Sequence, residues 1–176
     1  GMAWTYASLG VMLGRQGKDR RAVAHLEKAA ELFKRLEMHE SRIHMLSRVG
    51  LCQNSLKNFE SAVKAYQETI KTCKLIGYEA SIIDVSVFCA FSNMSLKRYR
   101  QVLECVRQAE SLAKKYKYLP KDKKLLAQVM YLRIEALTGL KRYNEALKLL
   151  NSFKLELYTH FNIPYKYLAQ KGEVYY

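Results

Sequence analysis

The apolar positions of this chain recur in a pattern that only helices can carry. A small or short residue (Ala22, Ala62, Val102, Ala146) returns after 40, 40 and 44 residues. Four positions after it stands a larger apolar side chain (Leu26, Tyr66, Val106, Leu150), and three further on come Ala29, Thr69, Ala109 and Phe153. Steps of four and three put all three positions on one face of an α-helix. Ahead of each small residue lies a polar turn segment. Gly17-Lys18-Asp19 opens the first; Lys57-Asn58-Phe59, Lys97-Arg98-Tyr99 and Lys141-Arg142-Tyr143 open the others.

The pattern predicts four helical hairpins. The first (A) helices cover about 3–16, 40–56, 79–96 and 122–139, and the second (B) helices about 19–38, 58–76, 98–118 and 142–161. The repeats then run over about 3–39, 40–78, 79–120 and 121–162, with an unpaired helix over 163–176 opened by Asn162-Ile163-Pro164. Proline is tolerated in that first turn because its missing N–H would have no helical partner there. Small residues at a fixed phase let two helix backbones approach closely, while the larger residue fills the adjacent hole. The fold class expected is all-α, a single solenoid over 1–176. Stacked hairpins need a polar closing face, and Val174-Tyr175-Tyr176 is not one, so the stack is expected to belong to a longer protein.

Composition agrees with a folded helical chain. Hydrophobic residues make up 49% and charged residues 26%, and the 8 glycines and 2 prolines are too few for a turn-rich all-β fold. No apolar run approaches the ~20 residues that span a bilayer. The formal net charge is +14, and the excess grows along the chain: +2 over 1–40, +3 over 41–80, +4 over 81–120 and +5 over 121–176. Such a field favours acidic partners.

Signs of chemistry are absent from the residue pattern. Cys52, Cys73, Cys89 and Cys105 are 21, 16 and 16 residues apart, without the paired spacing of a metal framework. The four histidines form no H-E-x-x-H motif, and His39 and His44 fall across a turn between repeats, with Glu37 and Glu40 as solvated neighbours. Gly10, Gly14 and Gly17 are spaced for helix packing and a turn, not for a phosphate loop, since no strand precedes them. Glu31 and Arg35 show the i, i+4 spacing of a solvated helix face. The expectation is no cofactor, no metal and no catalytic residues.

Tyr6-x-x-Leu9-Gly10, followed by Gly17 and by Ala22, Leu26 and Ala29, resembles the tetratricopeptide repeat, in a long variety of about 40 residues where about 34 is usual. The second repeat keeps Val49-Gly50, Phe59, Ala62 and Tyr66; the third and fourth are more degenerate, with Ala90 and Ile134 at the glycine position. The resemblance implies a right-handed α-solenoid with the A helices lining a concave groove. By register, Trp4, Ala7, Val11 and Gly14 face that groove from repeat 1. His44, Ser47, Leu51 and Asn54 follow from repeat 2, Asp84, Val87, Phe91 and Met94 from repeat 3, and Gln128, Tyr131, Glu135 and Thr138 from repeat 4. Apolar anchors among hydrogen-bonding groups suit an extended or helical peptide, with Asn54 or Gln128 gripping its backbone. Family members that clamp a chaperone's C-terminal carboxylate need basic and amide groups at fixed places. Those places hold Ala7, Val11, Arg48, Asp84 and Phe88 here; only Arg48 fits, and that activity is set aside.

A basic stretch from Lys97 to Lys124 holds ten cations against three acids. Arg107, Lys114, Lys115, Lys117, Lys121, Lys123 and Lys124 form a candidate patch, with Tyr116 and Tyr118 interleaved. Cations at a helix C-terminus are also favoured by the helix dipole alone. The expected function is therefore a non-enzymatic, cytoplasmic protein–protein interaction module whose partner is a protein or peptide segment, plausibly acidic. Repeat length alone gives the alternative, the peptide-sensing domain of a bacterial transcription regulator. A nucleic-acid-binding solenoid ranks third, and neither the partner's identity nor the oligomeric state is written in the sequence.

Overall fold

The computed structural model describes residues 1–117 and 123–152, and these hold eight α-helices. In chain order they are α1 (Met2–Arg15), α2 (Asp19–Arg35), α3 (His39–Ser55), α4 (Phe59–Leu75), α5 (Ala80–Ser95), α6 (Tyr99–Lys115), α7 (Lys123–Gly139) and α8 (Tyr143–Ser152). Among the described residues there is no strand. The junction around Pro120, the outer part of the fourth B helix with Phe153, and the expected helix over 163–176 lie outside the described residues.

Each helix packs on the next, and the A helices also touch one another in order, α1 on α3, α3 on α5 and α5 on α7. The described residues form a solenoid of four hairpins. The close contacts fall where the repeat predicted: Ala22, Ala62 and Val102 are 0% exposed and Ala146 is 4% exposed. Opposite Gly10 in the first hairpin lies Leu26, opposite Gly50 lies Tyr66, and an ideal Cβ on Gly50 would stand 2.4 Å from the Tyr66 ring. The third hairpin uses Ala90 and Val106 at the same two places, both 0% exposed. A bulky partner thus goes with glycine, and a smaller one with alanine.

A device the sequence pattern did not reveal ends the helices. Gly17, Glu37, Lys57, Gly77, Lys97, Lys117 and Lys141 all have φ between 54° and 71°, the left-handed region. Gly77 was legible as such a residue because glycine adopts that conformation without steric cost. The other closures use Glu or Lys. In each fully described case the following N–H reaches back five residues, as in Lys18 to Leu13 (3.0 Å), Met38 to Phe33 (2.9 Å), Asn58 to Gln53 (2.8 Å) and Arg98 to Asn93 (2.9 Å). The left-handed residue's own N–H bonds three residues back, so two otherwise orphaned carbonyls are satisfied at each helix end. From Gly17 to Lys117 these closures come 20 residues apart, which makes the half-repeat, not only the repeat, a regular unit.

Ion pairs cross between helices at several levels. Arg42, at the start of α3, donates to Glu68 (2.6 Å) and to the Thr72 hydroxyl (3.0 Å) near the end of α4. Arg98 forks onto Glu60 across the second and third hairpins (2.9 and 2.5 Å). Arg133 of α7 bonds Glu110 of α6.

Candidate functional site

The A helices present a row of equivalent positions. Trp4, His44 and Asp84 are exposed in hairpins 1 to 3 and Gln128 is half-buried in hairpin 4. About two turns further along each helix, Leu51 is 41% exposed, while Val11, Phe91 and Glu135 are half-buried. Trp4 sets its ring edge-on to the buried Phe33 at 4.9 Å, so one face of the indole packs on the stack and the rest remains in solvent. Phe91 and Tyr131 stack at 6.5 Å between ring centroids and join hairpins 3 and 4. Burial, and then the nearby Glu135 carboxylate, raise the Tyr131 pKa, so its phenol stays protonated at neutral pH.

Other residues assigned to the groove are placed differently. Val87 is 2% exposed and packs in a core with Ile83, Ala90 and Val129; the equivalent Ala7 is 3% exposed. These two side chains turn toward the neighbouring helices and do not line an open surface, a correction to the register-based expectation for Ala7 and Val87. Ser47, in the same row, is half-buried. Asn54 already uses both ends of its amide inside the stack. It donates to the Tyr66 hydroxyl (3.2 Å) and accepts from the Ser92 hydroxyl of the next hairpin (2.8 Å). It is a bridge between hairpins before it is a grip for anything else.

A depression of about 200 Å³ opens beside Leu51, between the first two hairpins. Val11, Leu51 and Gly14 give it apolar walls, and Arg15, Arg48 and Asp19 give it charge. Cys52 lies at its base, its thiol pushed up to about 11 by burial and by donating a hydrogen bond to Asp19. The thiol is therefore neutral at ordinary pH and serves as packing. Arg15, next to the register-assigned Gly14, was not among the residues the register placed at this site.

α1 also exposes Met12 at 49%. The equivalent residues of the later A helices, Cys52, Ser92 and Ala136, are 7%, 1% and 0% exposed because a preceding hairpin covers them.

The described cations of the basic stretch differ in their engagement. Lys114, Lys117 and Lys124 are exposed, but Lys115 bonds Glu79, which also accepts from the Tyr116 hydroxyl at 3.2 Å. The Lys115 ammonium, and after it the Tyr116 hydroxyl, hold Glu79 below its usual carboxylate value. Lys121 and the side chain of Lys123 lie outside the described residues. Arg107 belongs to a different grouping, described below. Among the described residues no three potential ligands converge on a metal site, and no helix is long and apolar enough to cross a membrane.

Residues 1–74, which span the first two hairpins, match the family model for the tetratricopeptide repeat. These hairpins are tetratricopeptide repeats. A comparison with curated proteins returned no match. Among solved structures, the chain is similar to the apo form of RapI, at 14% identity and a TM-score of 0.74, over 85% of this chain and 41% of that one. It is also similar to a double mutant of MamA RS-1, at 16% identity and a TM-score of 0.70, over 95% of this chain and 79% of that one. The chain spans less than half the length of the first. At these identities the likeness is one of fold, a stack of helical hairpins that takes in the later hairpins as well.

Proposed function

We propose that the chain is a non-enzymatic protein-interaction module that seats a peptide segment along its A helices. The observation that carries this reading is Leu51, an exposed leucine midway along the inner row beside a depression walled by Val11 and rimmed by Arg48. A leucine left open next to an arginine pairs an apolar anchor with a charged donor, the combination that concentrates binding energy at an interface. Trp4 at one end and the Phe91–Tyr131 stack at the other extend the apolar contacts across all four hairpins. The tetratricopeptide fold is consistent with that role and supplies the rigid scaffold. No metal or cofactor is needed for it, and the cytoplasm is the compartment we assign.

The test is selection from a phage-displayed random peptide library against the wild-type protein and against Leu51→Ala and Phe91→Ala. A common motif enriched on the wild type and lost on either variant supports the groove. The same motif enriched on all three would remove the groove from consideration.

A further inference from the structure

Behind the A-helix row, between α6, α7 and α8, lies an open cleft of about 370 Å³ that shares no residue with the proposed groove. That volume is within the range of small-ligand sites, roughly 300–1,000 Å³. Its walls are leucines, Leu103, Leu137 and Leu149, one from each of the three helices. Its rim is cationic: Arg107, Arg133, Arg142 and Lys148.

Two of these arginines have carboxylates already. Arg133 bonds Glu110, and Arg142 closes its fork on Glu145 at 2.6 and 2.7 Å. Each guanidinium has five N–H donors, so neither is exhausted. Arg107 forms no salt bridge among the described residues and is exposed at the rim. It also lines the adjoining cleft of about 590 Å³ between α4 and α6, so it stands on the ridge common to both. A guanidinium held beside two others without an anion of its own is in a field that an incoming carboxylate relieves.

We propose that this cleft is a second binding site, for an acidic peptide segment in which carboxylates alternate with apolar side chains. The leucine walls take the apolar residues and the arginine forks take the carboxylates, with Arg107 as the cation most available for pairing. A single-stranded nucleic acid would meet the same charge but no stacking platform, because no aromatic ring lines the cleft. The proposal stands independently of the groove, with which the cleft shares no residue.

The experiment is fluorescence anisotropy with three labelled probes: a short peptide alternating Glu and Leu, its Gln–Leu counterpart, and an oligothymidylate of matching charge. Each is titrated with the wild type and with Arg107→Glu, Arg107→Gln and Leu51→Ala. The Glu–Leu peptide is expected to bind at least about tenfold more tightly than the Gln–Leu peptide, as charged hydrogen bonds require. Arg107→Glu should weaken it about tenfold, Arg107→Gln less, and Leu51→Ala not at all. Helical circular dichroism checks that the variants fold; should Arg107→Glu not fold, Arg107→Gln carries the reading. Unchanged affinity in the Arg107 variants, or no binding of the Glu–Leu peptide, overturns the proposal. Loss on Leu51→Ala assigns the peptide to the groove instead, and tighter oligothymidylate binding that depends on Arg107 assigns the cleft to nucleic acid.

Discussion

Replacing Gly50 by alanine puts a methyl group where the ring of Tyr66 already lies. The added Cβ would stand 2.4, 2.6 and 2.8 Å from Cε1, Cζ and Cδ1 of that ring, against the ~3.5–4.0 Å that carbon atoms prefer. Tyr66 cannot simply swing away. It is 0% exposed, stacks on Phe88 at 6.1 Å, and its hydroxyl accepts from Asn54, which in turn accepts from Ser92 of the next hairpin. Overpacking of this kind costs about 1–3 kcal/mol. Breaking the Asn54 bond adds about 1 kcal/mol. The better helix propensity of alanine returns about 1 kcal/mol. The net loss is then about 2 kcal/mol, or roughly 4–8 °C in melting midpoint for a chain of this length. Thermal and urea unfolding followed by circular dichroism at the helical band measure it.

A control and a cycle sharpen the result. Gly14→Ala would place its Cβ 3.5 Å from the Cys52 sulfur and 3.8 Å from the Ala22 methyl, ordinary contacts, so it should stabilise by about 0.5–1 kcal/mol. Added to Tyr66→Val, which copies the Ala90–Val106 pair of the third hairpin, Gly50→Ala should cost little, giving a coupling energy of about 1 kcal/mol or more. If Gly50→Ala instead melts at or above the wild type, as a surface helix glycine would, the close hairpin packing described here is wrong.

Three further outcomes are expected. Lys57→Gly and Lys97→Gly, which relieve a left-handed backbone at φ 59° and 56°, should each stabilise by up to about 1 kcal/mol in urea midpoint; a loss would mean that those side chains contribute more than the strain costs. Arg42→Ala should destabilise by about 2 kcal/mol, because its guanidinium is only 12% exposed and joins two partners on α4. Arg98→Ala, whose pair with Glu60 is about half in solvent, should stay within about 1 kcal/mol, and an equal effect of the two would refute the burial argument. With an aromatic disulfide reagent near pH 8, one thiol per chain should react fast and vanish in Cys105→Ser. Cys105 accepts a hydrogen bond from Cys89 that lowers its pKa and raises that of Cys89, while burial pushes Cys52 and Cys73 up to about 11; two or more fast thiols would contradict this order.

Much of the fold was legible because it is periodic. Steps of three and four residues fix a helix face locally, and a small residue repeated every 40 or so fixes where two helices can approach. The observed helices accordingly lie within three residues of the spans read from the pattern, wherever both ends are described. The turns were only partly legible. Gly17 and Gly77 signal a left-handed closure by composition, but Glu37, Lys57, Lys97, Lys117 and Lys141 adopt it because the next helix must start there, and nothing in a lysine announces that.

The candidate surfaces were legible in outline only. Register identifies which rows leave the core, so the exposure of Trp4, Leu51 and Asp84 was legible. It does not separate Val87, sealed by the hairpin beside it, from Ser47 in the same row, nor does it show that Asn54 is already bonded to Tyr66 and Ser92. The cleft that gathers Arg107, Arg133 and Arg142 from two helices and a turn is invisible to any local window, since it exists only once the third and fourth hairpins are docked. The sequence by itself determined the helices, their phase and the order of stacking, because backbone geometry and residue size act over a few residues. Exposure, engagement and charge clustering were decided by the tertiary structure, because they depend on contacts between residues tens of positions apart.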